Sequence, residues 1–171
     1  MKPTGKKSPF AIRAVVLLLI CLMVIGAAGC FPRVRMPFNG NITFHEITAV
    51  IPSSFIRDST QSNDELWVFE KGNYKQCIIL SRKPADEDVD TMLDNYVAYL
   101  IEEFGAEAER GTYLYSEAVH STLTRNGQFC QEILFVYHGY SYAVALRGGT
   151  EEEFQSLLNN VNTPDTINVE V

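Results

Sequence analysis

The chain has 171 residues, 46% of them hydrophobic and 20% charged, an ordinary composition for one globular domain. With 21 acidic residues against 14 Lys and Arg, its formal net charge is −7. That balance argues against nucleic acid as a partner and against adhesion to anionic lipid headgroups, both of which need clustered basic side chains.

The first thirty residues form a unit of their own. Lys2, Lys6, Lys7 and Arg13 precede an uncharged apolar run from Ala14 to Ala28, and Gly26-Ala27-Ala28-Gly29-Cys30 closes it with small residues and a thiol. Basic residues stay on the cytoplasmic side, so the chain beyond the run is expected outside the cytoplasm. The run is shorter than the ~20 residues that span a bilayer comfortably. Small residues leave room for a peptidase beside the cleaved bond, and the cysteine supplies a nucleophilic thiol for lipid transfer. This segment resembles a bacterial lipoprotein signal peptide with its lipobox. It matches at Ala28-Gly29-Cys30 and departs at Ala27, where the family usually has Leu. The resemblance implies cleavage before Cys30, lipidation of Cys30 with palmitate-type chains, and the membrane as a partner through that anchor. A retained signal anchor from about Ala11 to Ala28 is the other reading, and both place the domain outside the cytoplasm. Cleavage removes four basic residues and no acidic one, which takes the mature chain from −7 to −11.

The layout expected is therefore a signal peptide over 1–29, a lipidated N-terminus and short linker over 30–40, one α+β domain over 41–162, and a flexible tail over 163–171. Within the domain, Ile42 to Ile51 reads as a strand stopped by Pro52, which has no N–H for a ladder. Ser53 to Glu65 is polar and reads as loop. Leu66–Glu70 and Tyr74–Arg82 read as a hairpin about a Gly72-Asn73 turn, with Glu70 opposite Lys75, Trp67 opposite Ile78 and Val68 opposite Cys77.

Val89, Met92, Leu93, Tyr96, Val97, Leu100, Ile101 and Phe104 then recur at helical spacing, after an acidic start and before Gly105. A strand follows over Tyr113–Thr124, and Asn126-Gly127 is the sharpest hairpin signal in the chain. Gln128–Tyr137 and Tyr140–Arg147 are two more strands, turning at His138-Gly139. A short helix from Glu151 to Val161 has Thr150 and Glu153 placed for a capping box.

Several strands are apolar on both faces. Trp67, Phe69, Ile78 and Leu80 share one side of the first hairpin, and Leu66, Val68, Cys77 and Ile79 the other. A sheet with one wet face alternates apolar and polar residues. The pattern thus predicts an antiparallel sheet covered on both faces, a three-layer α/β/α sandwich of the α+β class. Ile47 to Phe55, with its strand ending in Pro and then an aromatic, resembles the early strand of the PsbP-like sandwich family. Phe135 to Leu146 followed by Glu151 to Val161 resembles that family's last hairpin and helix. The likeness covers roughly 40–162. It implies the fold, a family that includes many bacterial lipoproteins, and no shared catalytic residues or cofactor.

The chemistry-bearing residues are sparse. There is no Gly-x-Ser-x-Gly string and no phosphate-cradling glycine loop, and His45, His120 and His138 have no zinc-ligand spacing. Asp86-x-Asp88-x-Asp90 lacks the Gly and Glu of a calcium loop, with Thr91 and Val97 in their places. No catalytic residue, metal or cofactor is assigned. Gly148-Gly149-Thr150 reads as the turn and cap of the last helix. Cys77 and Cys130 are open between a disulfide, natural in an exported chain, and two buried thiols. Tyr137, His138 and Tyr140 gather at one hairpin as a candidate binding surface, since tyrosine joins a broad apolar face to a polar tip; Tyr142, opposite Phe135 in that register, is expected in the core. The function expected is a non-enzymatic binding or accessory role in the envelope, with an envelope protein as partner. An envelope hydrolase would instead need His45 or His120 beside a carboxylate and a serine. The anchor is tested by growing cells on labelled palmitate: wild type incorporates label and Cys30→Ala does not, and equal labelling of both would dispose of the lipobox.

Overall fold

The computed structural model describes residues 35–36, 40–86, 88–125 and 127–167. The leader, Cys30, Glu87 and Asn126 lie outside them. The strands are β1 (Arg35–Met36), β2 (Asn41–Phe44), β3 (Ile47–Val50), β4 (Ile56–Asp58), β5 (Leu66–Lys71), β6 (Gln76–Pro84), β7 (Glu107–Tyr113), β8 (Ser116–Arg125), β9 (Gln128–Tyr137), β10 (Tyr140–Arg147) and β11 (Val161–Asn162). The helices are α1 (Val89–Phe104), α2 (Glu151–Leu158) and α3 (Pro164–Ile167). Eight strands make one antiparallel sheet in the order β1-β4-β5-β6-β10-β9-β8-β7, and β11-β3-β2 make a smaller one.

The helices form where their ends are chemically closed. The Asp88 carboxylate accepts from the Thr91 amide at 3.1 Å at the start of α1, and Gly105, at φ 62°, takes the left-handed cap at its end. Thr150 and Glu153 close the capping box of α2 in both directions, at 2.9 and 3.2 Å. Among the described residues, no helix is long and apolar enough to cross a membrane.

Both faces of the large sheet are buried. On one, α1 sets Met92, Leu93, Tyr96 and Leu100 against Val119 and Leu134. On the other, α2 and the small sheet bury Phe44, Ile47, Phe154 and Leu158 against Phe69, Leu80, Phe135 and Tyr142. Each such side chain contributes roughly 1.5–3 kcal/mol when fully buried. The alternation read from the sequence puts the two sets on the correct faces, and Tyr142 is in the core opposite Phe135.

The boundaries differ in several places. The polar stretch Ser53–Glu65, expected as loop, contains β4, a strand too short to show an alternation, which pairs with β5 and with β1 inside the expected linker. The expected Ile42–Ile51 strand is a hairpin, β2 and β3, turning at His45 with φ 55°. The polar stretch before Tyr113 is β7, joined to β8 through Leu114 and Tyr115 at φ 50° and 63°. The β5–β6 turn spans four residues, 72–75, so Glu70 faces Cys77, Val68 faces Ile79 and Trp67 faces Leu80; a slip of two residues leaves every side chain on its expected face. Last, α2 stops at Leu158, Val161 of β11 pairs with Ala49 of β3, and Thr163 is fully buried ahead of α3; residues 168–171 of the expected tail lie outside the described residues.

One carboxylate is buried beneath α1. Glu132 is 6% exposed and accepts from the Tyr96 hydroxyl at 2.5 Å. Burial disfavours its charge and raises its pKa, the Tyr96 bond opposing in smaller measure. The folded chain therefore holds this proton at pH values where the unfolded chain has released it, and the group's favourable contribution falls as pH rises above the ordinary carboxylate range. Glu132→Gln is expected to exceed wild type in urea-unfolding stability by about 1–3 kcal/mol at neutral pH, with the gap closing on acidification to about pH 4.

Candidate functional site

The turn between β9 and β10 is His138-Gly139, with φ 46° and 77°. Positive φ at both residues suits the right-handed twist of the flanking strands, and histidine tolerates it better than a branched residue would. The Ala85 amide donates to the Gly139 carbonyl at 2.9 Å, fixing the tip against the end of β6. The His138 ring stacks on Tyr137 at 4.0 Å and 20°. Its Nδ1 lies 3.3 Å from Glu46 Oε2 in the β2–β3 turn, and its Nε2 lies 3.8 Å from Asp165 Oδ2 in α3. The Tyr137 hydroxyl donates to the same Asp165 oxygen at 3.0 Å. Burial, then the neighbouring Asp165, hold that phenol above its ordinary pKa. Beside the turn, the Arg82 guanidinium lies 4.2 Å over the Tyr140 ring and forks onto Glu65 at 3.0 and 3.1 Å.

The three residues proposed from sequence as a surface are thus adjacent but not equivalent. The His138 side chain is 59% exposed, Tyr140 is half-buried under Arg82, and Tyr137 is 7% exposed. Tyr137 supports the imidazole from below and cannot itself contact a partner. Glu46, Asp165, Arg82 and Glu65 complete the strip, and nothing in the sequence joins them, because they come from segments far apart in the chain. Chemically the strip offers an exposed imidazole between carboxylates, with an aromatic ring clamped by arginine; of these, tyrosine and arginine are the types that recur where proteins recognise proteins.

The other histidines are elsewhere. His45 Nε2 donates to the Asp64 carbonyl. His120 lines a cleft at the far corner of the sheet with Glu109, and its imidazole crosses Gly111, where a Cβ would stand 3.2 Å from His120 Cδ2. No carboxylate among the described residues is within ion-pair distance of His120. Gly148-Gly149 has a packing role: a Cβ on Gly148 would collide with the Lys75 carbonyl oxygen at 2.0 Å. Among the described residues, no group of three His, Cys, Asp or Glu could hold a metal.

Strand order explains the cysteines. Arg147 of β10 pairs with Cys77 of β6 on one side and Cys130 of β9 on the other. The cysteines are therefore two strand spacings apart, ~10 Å, beyond the ~7 Å between Cα atoms that a disulfide bridges. Both are free, so the disulfide left open from sequence is not made.

No protein-family model and no curated protein sequence matches the chain. In structure it is similar to the solution structure of cyanobacterial PsbP (CyanoP) from Synechocystis sp. PCC 6803, with a TM-score of 0.52 and 11% identity over 81% of this chain and 96% of that one. The fold is PsbP-like. Lesser likenesses are to a protein of Bacteroides thetaiotaomicron VPI-5482 (TM-score 0.46, 9% identity, 75% of this chain and 47% of that one) and to LpqN of Mycobacterium tuberculosis, involved in cell envelope biogenesis (TM-score 0.39, 14% identity, 79% and 87%). At these identities the PsbP-like relationship concerns the fold and assigns no site.

Burial pushes the Cys77 thiol up to about 11 and the Cys130 thiol up to about 12. Only the thiolate alkylates, so at about pH 8 the reactive fraction is minute. Iodoacetamide is expected to leave both unmodified in the folded protein and to label both in denaturant, read by peptide mass mapping. Rapid native labelling of either would contradict this burial.

Proposed function

We propose that this chain is a lipid-anchored, extracytoplasmic binding protein of the cell envelope, non-enzymatic, which engages an envelope protein through the His138 turn. The leader supports the location: its basic start, uncharged run and small residues ending at Cys30 lead through a linker too short to hold a domain far from the membrane. The mature charge of −11 works in the same direction, keeping the domain off anionic headgroups.

The observation that carries the binding role is the His138 turn itself. A histidine held at positive φ, exposed, stacked on a buried tyrosine and set between Glu46 and Asp165 is positioned by three separate segments. Turn geometry alone would be met more easily by glycine or asparagine. A rigid, charged and aromatic tip fits recognition of a protein surface that presents donors or cations to the two carboxylates.

The test is photo-crosslinking in the cells that make the protein, with the reactive residue at position 138 and, as control, at Glu102 on the outer side of α1. A discrete protein adduct from 138 alone is expected, weakened when Glu46 and Asp165 are both changed to alanine. Absence of an adduct at 138, or the same adducts from both positions, would remove the turn as the contact surface.

A further inference from the structure

Where α2 crosses β7, β8 and β9, a cleft of about 580 Å³ opens on the α2 side of the sheet. The register builds its floor. Glu107 lies opposite Thr122, Thr122 opposite Gln131, and Glu109 opposite His120. Phe154 and Gln155 of α2 form the facing wall, and Glu151 closes the rim. The wall is fixed to the strand by the Tyr113 hydroxyl, which donates to the Leu158 carbonyl at 2.7 Å.

Two independent features specify what this cleft takes. The first is charge: four carboxylate residues, Glu107, Glu109, Glu151 and the buried Glu132, line it, and no Lys or Arg does among the described residues. The second is Gln131, which is 6% exposed yet leaves its Oε1 without a hydrogen-bond partner among the described residues. A buried amide oxygen with no donor is destabilising, and a bound donor at the cleft would satisfy it. Both features ask for a cation rich in N–H groups. Glu107 and Glu109 are alternate residues of one strand, about 7 Å apart along it, a spacing that two ammonium groups on a four-carbon chain can match. Phe154, at 3% exposure, closes the wall behind them as part of the core.

We propose that this corner is a binding site for a small oligoamine, with ammonium groups on Glu107, Glu109 and Glu151 and one N–H on Gln131 Oε1. The site shares no residue with the His138 turn and stands whether or not that turn binds a protein. It requires no covalent step.

The full chain in non-ionic detergent is titrated calorimetrically with spermidine, putrescine and butylamine at constant physiological salt. Saturable one-site binding of spermidine and putrescine is expected, with butylamine weaker by about tenfold or more because it reaches one carboxylate only. Glu109→Gln with Glu151→Gln is expected to weaken putrescine by about tenfold, and Glu102→Gln with Glu103→Gln on α1 to leave it unchanged. Gln131→Leu separates site from scaffold: without amine it melts at a higher temperature than wild type, and it binds putrescine more weakly. No saturable heat overturns the proposal. So do equal affinities for putrescine and butylamine, equal loss in the two carboxylate double variants, or unaltered binding by Gln131→Leu.

Discussion

The structure depends on the pairing of β6 with β10. Eight residue pairs, from Tyr140 opposite Pro84 to Arg147 opposite Cys77, join strands more than fifty residues apart in the chain. On one side lie β1, β4 and β5, contributed by the first half; on the other lie β9, β8 and β7. The chain leaves the centre after β6, crosses one face as α1, begins again at the far edge with β7, and returns strand by strand until β10 closes on β6. Without that seam neither half has a two-sided core. It explains the intolerance for a side chain at Gly148, where the backbone leaves β10 against the Lys75 carbonyl at the start of β6.

The same seam locates the chemistry. It brings Arg82 of β6 beside Tyr140 of β10, and it carries the β9–β10 turn to where the β2–β3 turn and α3 supply Glu46 and Asp165. At the other corner, Arg110 of β7 is held by Asp90 and Asp94 of α1 and by Glu117 of β8, at 2.7 to 2.8 Å. These pairs are exposed on their acidic side and each is worth little alone. Their effect is positional: they tie the polar edge strand to the crossover helix and leave its other face, with Glu107 and Glu109, toward α2.

Much of this was legible wherever local chemistry and tertiary packing agree. The stripe of α1, the capping box of α2, the turns at Gly127 and at His138-Gly139, and the two apolar faces of β5, β6 and β9 each carry a local signal that the fold obeys. The misreadings fall where no local signal exists. His45, Leu114 and Tyr115 turn the chain without glycine or proline, and β7 is too polar to read as a strand because its neighbours bury only one side of it. The β5–β6 turn offered Gly72-Asn73 as its whole length, while Tyr74 also accepts a positive φ. Of the candidate surface, the hairpin and its histidine could be read. The burial of Tyr137 and the carboxylates flanking His138 could not, being set by segments whose proximity only the sheet order creates. The unpaired oxygen of Gln131 is of the same kind: a glutamine in a strand says nothing until its neighbours are known.

The order of strands also sets a distance. β1 begins at Arg35, five residues past Cys30, and a chain of that length reaches at most ~18 Å. With a lipid on Cys30, the β1 edge is therefore held close to the bilayer. Seven strand spacings separate it from β7, ~34 Å across the sheet. On the proposed anchoring, the domain would act as a spacer of set width: how far its outer corner stood from the headgroups would follow from the number of strands and from how the sheet leans, since the tether would be too short to set it.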